Sequence, residues 1–457
     1  MNAIILSAVW GVVMMYTGIA SNKKRVHAAM AILGAALLII ATWLEYAGLP
    51  FVNLHTAGML EVTGHASVFL LVLFICTLFY FLLSGPDMND VGGNPADYYA
   101  LIFFTLTGIC ITATFKSLLM FFLGIEIMSI PLYILAASDK RNLKSNEAGL
   151  KYFLMGSFST GLMLMGIALL YGAYGTFYTD GMNLGLGTFS PLAAVGLVLL
   201  MVAMSFKVSA APFHFWTPDV YDGTPVVFTS FMASIVKAAA FYGFLRLFEN
   251  AFGKMHESWQ LLAAIITAAT LLVGNLTAVF QQSVKRMLAY SSIAQAGFMM
   301  LAVFALNNTA RQGLVLYAAA YSLATIGIFA VLARMKDYTY EGFNGFARYQ
   351  PLLAGLLTVF LFSLAGIPFT GGFFAKYYML MAALRDGHMF WLVILAVLCA
   401  AVSVYYYFRV IQAMYFKEGE DPGIAVSGRF RTVLLITALL VILLGVHPDW
   451  LLNLLNN

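Results

Sequence analysis

The chain has 457 residues, of which 62% are apolar and 10% charged, with a formal net charge of +4. Soluble domains are about 45–50% apolar and about 25% charged, so too little polar surface remains to cover a water-soluble globule. Soluble enzymes, nucleic-acid binders and secreted disulfide scaffolds are thereby excluded, and the chain reads as an all-α polytopic membrane protein.

About 20 apolar residues in a helix cross a bilayer. In chain order, apolar segments fall at 3–20, 28–49, 67–84, 98–115, 117–137, 149–173, 190–213, 225–245, 259–280, 288–306, 313–334, 351–384, 389–414 and 432–447. That makes about fourteen predicted helices. The close pair 98–115 and 117–137 and the long segment 351–384 are the least distinct. The first stretch lacks a basic n-region and an A-x-A end, so it reads as a spanning helix and not a cleavable signal. Numbering the loops by alternation puts fourteen Lys and Arg on one side, Lys23, Lys140 and Lys285 among them. The other side receives five: Lys116, Arg246, Lys254, Arg311 and Arg385. A basic excess marks the inner side, so both termini are expected on the outer, periplasmic side of a bacterial inner membrane. Cys76, Cys110 and Cys399 are far apart inside apolar runs. Their spacing excludes a local zinc or iron–sulfur site, and they read as small buried apolar residues.

Two segments carry the same interruption. MSFKVSAAPFHFWTPDV contains Pro212, and LFSLAGIPFTGGFFAKYY contains Pro368 beside Gly366, Gly371 and Gly372. Proline removes a donor and clashes with the carbonyl one turn earlier. Within lipid this is tolerated where protein or water satisfies the freed groups. Paired broken helices in two chain halves point to inverted repeats around an ion path. The prolines are 156 residues apart with four segments between, so each repeat holds five helices, and an odd number inverts the second copy. Two unrelated proline kinks are the alternative reading. The predicted organisation is helices 1–3 over 1–97, a first repeat over 98–248, a second over 249–416, and a last helix over 417–457.

Charge at membrane depth costs about 2.5–3.5 kcal/mol per Lys, Arg or Asp on insertion scales, whereas basic chains near helix ends snorkel. Glu126 and Lys237 lie mid-segment and read as proton sites or as partners in a buried ion pair. Lys207, five residues before Pro212, and Lys376, eight after Pro368, flank the breaks; both read as functional, with snorkelling open to Lys207. Lys151 lies one turn from Glu147, and an i,i+4 pair or snorkelling explains it. Arg409 reads as a snorkelling residue near the basic side. Burial favours the neutral amine and a nearby carboxylate favours the ammonium, so a lysine moving between such surroundings loads and releases a proton. His214, just past the first break, reads equally as a structural histidine or a relay. His27, His55, His65, His256, His388 and His447 fall in loops or at segment ends and read as solvated. No GxGxxG after a strand and no P-loop is present.

Four blocks carry a family resemblance. They are SFKVSAAPFHFWTPDVYDGTPVVFTSFMASIVKAAAF (205–241), KRMLAYSSIAQAGFMM (285–300), SLAGIPFTGGFFAKYYML (363–380) and LGIEIMSIPLYILAA (123–137). They resemble the antiporter-like subunits of respiratory complex I, over nearly the whole chain from about residue 95 onward. Three features favour the N-type branch of that family. They are the tryptophan and DVYxG turn of FHFWTPDVYDGTP, Lys376 where M-type members carry a glutamate, and an end after the fourteenth helix without the lateral helix of L-type members.

The resemblance implies roles residue by residue. Glu126 matches the family's fifth-helix glutamate and Lys207 the lysine of its broken seventh helix. Lys237 matches the eighth-helix lysine leading toward the far half-channel, Lys376 the twelfth-helix lysine near the outward exit, and Lys151 a sixth-helix lysine. Relatives often read SSISHxGY where this chain reads SSIAQAGF, so Gln295 stands at a histidine position and cannot itself titrate. The implied function is proton translocation in a complex whose NADH, FMN, iron–sulfur clusters and quinone belong to partner subunits. This chain is expected to hold no redox cofactor, catalytic redox residue or metal. Its expected partners are other membrane-arm subunits and lipid, with no nucleic acid. A subunit of a multisubunit cation/proton antiporter is the alternative.

Overall fold

A computed structural model of the chain describes residues 1–52, 56–183, 190–386, 389–421 and 423–456. His55 and His388 lie outside the described residues. Within these residues every regular element is a helix, with only isolated β-bridges between loops. The helices begin where local chemistry starts them. Helices α1 (Asn2–Ala20) and α2 (Lys24–Tyr46) precede α3 (Gly64–Ser84), which Thr63 caps. Pro95 opens α4 (Pro95–Thr114) behind the cap Asn94. Ser117 caps α5 (Leu118–Ala136) and Asn142 caps α6 (Leu143–Tyr174). Pro191 opens α7 (Pro191–Lys207) behind the cap Ser190.

Three short pieces follow: α8 (Trp216–Gly223), α9 (Val226–Phe231) and, after a π turn over Met232–Val236, α10 (Lys237–Phe252). Then come α11 (His256–Val279), α12 (Val284–Ala305) and α13 (Asn308–Leu332). The chain ends with α14 (Pro351–Ala365), α15 (Gly371–Asp386), α16 (Phe390–Phe416), α17 (Gly428–Val446) and the short α18 (Asp449–Asn456). Eleven stretches of the described residues are long and apolar enough to cross a membrane, one of them 54 residues long (Val226–Val279). The chain is a multi-pass membrane protein. Helices α12 and α13 form the centre, with their most apolar windows 94% and 100% buried, whereas α1 lies at the margin at 22%. Burial at the centre comes from helix-on-helix packing, since lipid supplies no hydrophobic drive between helices.

The breaks differ in detail from the expectation. Segment 190–213 stops being helical at Lys207, before Pro212 is reached. Proline disfavours helical geometry in the residue before it, and Ser209 adopts a left-handed φ of 64°. The Thr270 hydroxyl accepts from the freed Ala211 N–H at 2.9 Å. Segment 351–384 divides in two. Gly366 ends α14 at φ 84° and Phe369 has φ 67°. The Ser363 hydroxyl accepts from Gly372 N–H at 3.1 Å. Both prolines are exposed, beside Phe215 (70%) and Phe369 (76%), so each break presents proline and phenylalanine outward and keeps its polar backbone inside.

The second break closes only because residue 372 is glycine. A Cβ there would lie 1.7 Å from the Ser363 carbonyl oxygen. Gly372→Ala is expected to cost about 1–3 kcal/mol by overpacking, read as a lower thermal midpoint of the purified protein. An unchanged midpoint would mean that the two half-helices part freely.

Candidate functional site: buried lysines across the bundle

Glu126, Ser129 and Tyr133 share one face of α5 by their three- and four-residue spacing. Glu126 is half-buried, and its Oε1 accepts from Thr160 Oγ1 on α6 at 2.8 Å. Lys207, the last residue of α7, donates to Ser129 Oγ at 2.9 Å and to Tyr133 Oη at 3.4 Å. The acid and the lysine therefore meet α5 hydroxyls and α6, and do not form a direct ion pair among the described contacts. An ammonium at this point also faces the negative end of the α7 dipole.

From Tyr133 an aromatic series crosses the first break. Tyr133 meets Tyr152 at 4.8 Å, Tyr152 stacks on Trp216 at 4.7 Å, and Trp216 meets Tyr221 at 5.9 Å. Lys237 Nζ lies 5.6 Å from the Tyr221 ring. Lys237 is 2% exposed and donates to Ser292 O at 3.0 Å and Ser292 Oγ at 2.9 Å, both on α12. It follows directly on the π turn, a helix defect that often marks functional sites. Around the first break the buried hydroxyls of Ser205, Ser209, Thr217 and Ser230 have no hydrogen-bond partner among the described residues. Polar groups of this kind are ordinarily satisfied by ordered water.

Lys376, 6% exposed, donates to Leu364 O at 2.8 Å and Ala365 O at 2.9 Å. These are the last carbonyls of α14, which lack helical partners. Gln295 on α12 donates to the same Leu364 carbonyl at 2.9 Å. Lys207 and Lys376 are thus not equivalent: one reaches a neighbouring helix, the other caps its own broken helix.

Lys151 pairs with Glu147 at 2.6 Å and with Asp219 at 2.9 Å, and Asp219 holds Arg286 at 3.1 Å. The i,i+4 pair was legible; Asp219 on α8 was not, although it lies within TPDVYDG. His214 is 7% exposed, in the first break, and its Nδ1 has no partner among the described residues. One sequence reading needs correction. His27 is 2% exposed and bonds Ser21 O at 2.7 Å, so it is a buried histidine and not a solvated one. Arg409 reaches out to the loop after α11, in keeping with a snorkelling side chain, and its Nη2 donates to Gln282 Oε1 there at 3.0 Å. It also donates to Val279 O at 3.3 Å and Gln281 O at 3.0 Å, capping the α11 end, over the Tyr340 ring at 3.9 Å. Lys285, counted among the inner-side loop charges, is 4% exposed and donates to Asp222 O and Thr224 O, at the end of α8. His447 is exposed and the three cysteines are buried, as read.

Lys116, Arg246 and Arg311, all read to the sparse side, gather with Glu61, Asp180 and Glu249 around one cavity of about 280 Å³. On the turn Pro86–Asp90, Asp87 pairs with Arg334 at 3.1 Å. Burial pushes the Asp87 carboxyl from 3.8 up to about 6, against the pull of Arg334. A carboxyl raised in the folded state holds a proton that the unfolded chain has released. Its stabilising contribution is therefore full below 3.8 and is lost as the pH climbs through about 6. Asp87→Asn is expected to flatten that slope in a thermal-melting series between those values. A variant with the full wild-type slope would contradict the assignment.

The family model described as NADH:quinone oxidoreductase/Mrp antiporter, TM, matches residues 116–403. The NADH-quinone oxidoreductase subunit N of Cytophaga hutchinsonii is 39% identical over 99% of both chains. A chain of respiratory complex I from Thermus thermophilus with bound aureothin superposes with a TM-score of 0.85 at 34% identity, over 99% of this chain and 98% of that one. A chain of the Mrp complex from a Dietzia species gives 0.86 at 18% identity, over 99% and 95%, a likeness of fold alone. With a family model over more than half its length and a full-length relative at this identity, the chain belongs to the NADH:quinone oxidoreductase/Mrp antiporter family, in its NADH-quinone oxidoreductase subunit N branch.

Proposed function

We propose that the chain is a proton-translocating membrane-arm subunit of respiratory complex I. Electron transfer from NADH to quinone, with the FMN and iron–sulfur clusters it needs, occurs in partner subunits. The energy released there moves protons through this chain. The observation that carries the reading is Lys237: a lysine 2% exposed within a long apolar stretch, paired with no carboxylate among the described residues but hydrogen-bonded to α12. A charge kept at such cost marks an ion pathway. The proton route runs from the Glu126–Lys207 region past the hydroxyls of the first break to Lys237, and along α12 to Lys376. Lys151 and His214 border that route on its inner side and at the break.

Counting the 54-residue stretch as two crossings and each broken helix as one brings the eleven to fourteen. With that count the two five-helix units, 98–248 and 249–416, are inverted repeats, each with one break. They follow helices 1–3 over 1–97 and precede the last helix over 417–457. The basic excess then faces the cytoplasm of a bacterial cell, and both termini face outward.

A second reading, a subunit of a cation/proton antiporter, is favoured by the fold likeness to the Mrp complex. Purification through a tag on this chain in gentle detergent, followed by mass spectrometry, separates the two. Iron–sulfur and quinone-site subunits are the expected companions. Small hydrophobic antiporter subunits without redox proteins would overturn the complex I reading.

A further inference from the structure

Around the cavity of about 280 Å³ the carboxylates are already engaged. Lys116 holds Glu61 at 3.0 Å and Asp180 at 3.3 Å, and Arg311 holds Glu249 at 3.0 Å. Arg246, on α10 and 8% exposed, forms no ion pair among the described residues. Its Nη1 donates to Thr63 Oγ1 and its Nη2 to Glu61 O, both at 3.5 Å. Those bonds are long, since N–H···O contacts ordinarily span about 2.7–3.2 Å. The Arg246 Nε has no hydrogen-bond partner among the described residues. The Phe115 ring, 5.8 Å from the guanidinium carbon, covers it on one side. A guanidinium does not give up its proton in a protein, and a buried charge without a partner is costly.

We infer that this cavity binds a small monovalent oxyanion, of the bicarbonate or short-carboxylate class, on the Nε–Nη edge of Arg246. That edge offers two parallel N–H donors, which match two oxygens of one planar anion. The walls carry three cations and three carboxylates. The Glu61 and Asp180 side chains are 48% and 64% exposed, and exposed charges are screened by the solvent. Arg246 is buried and escapes that screening, so the potential beside it is positive. His65 and Arg311, in the first turns of α3 and α13, line the same space, and Asn250 brings the last turn of α10. Two positive helix ends thus meet one negative end. The uncompensated charge is single, and the three carboxylates repel an anion of higher charge. Water takes about 30 Å³ in the liquid, so the space holds a small anion with several waters. Bound there, the anion ties loop residues 61–63 to α10 and α13.

The test is hydrogen exchange of the assembled complex, read by mass spectrometry, as sodium formate replaces sodium chloride at constant ionic strength and pH. Two amides report on the cavity wall: Glu61 N–H donates to Thr114 O at 2.7 Å and Lys116 N–H to Met59 O at 2.8 Å. Formate is expected to slow their exchange saturably, by about tenfold at ten times its dissociation constant. Arg246→Met is expected to abolish the slowing. Arg246→Lys keeps the positive charge, loses the two-donor edge and is expected to lose most of the response. It reads the site even where the methionine variant does not assemble. No slowing in the wild type up to physiological ionic strength, about 0.15 M, would overturn the site. An undiminished response in either variant would overturn it as well, since formate would then act away from the Arg246 edge.

Discussion

Lys237→Met is expected to lower proton translocation by about a hundredfold, the scale lost when a positioned proton carrier is removed. Methionine conserves volume and rotamer length, so packing around α12 is retained. The same change removes a buried ammonium, and replacing buried charge by well-packed apolar atoms is often neutral or stabilising. Function and stability should therefore move apart: little pumping and an unchanged or higher thermal midpoint. The measurement is quinone-driven proton uptake beside a melting curve of the purified complex. Loss of pumping together with a lower midpoint would assign Lys237 a structural role.

Glu126→Gln is the second large effect expected, with proton uptake reduced by about tenfold, or roughly 1.4 kcal/mol of barrier. Lys207 bonds Ser129, one turn along α5 from Glu126, and not the carboxylate itself. The carboxylate acts on Lys207 through space, and glutamine keeps the Thr160 hydrogen bond while removing the charge. Electrostatic influence is lost and local packing survives. Glu126→Gln with full uptake would show that Lys207 loads and releases its proton without the acid.

The sequence made depth legible. Apolar runs placed the long helices, with ends up to about seven residues off, and Pro212 and Pro368 located both breaks, because hydropathy and proline chemistry are local. Lys237 stood out for the same reason: a charge more than two turns from either end of an apolar run has no local escape. Partners were not legible. Ser292 lies 55 residues from Lys237 and Tyr407 lies 112 from Gln295, and such pairs are set by how distant helices pack. The hydroxyl that Lys207 chooses, the carbonyls that hold Lys376, and Asp219 as the second partner of Lys151 belong to the same class. His27 was misread because position near a segment end suggests water. A neighbouring loop or half-helix end can instead cover the site and offer carbonyls to a donor.

Lys207→Ala in the assembled complex, with proton uptake and quinone reduction recorded together in the same vesicles, tests the central claim most directly. The account predicts uptake falling at least about tenfold, with quinone reduction slowed in step or left uncoupled from pumping. Full proton uptake at a normal rate of quinone reduction would contradict it, and the buried lysines of this chain would then be structural charges of the membrane arm.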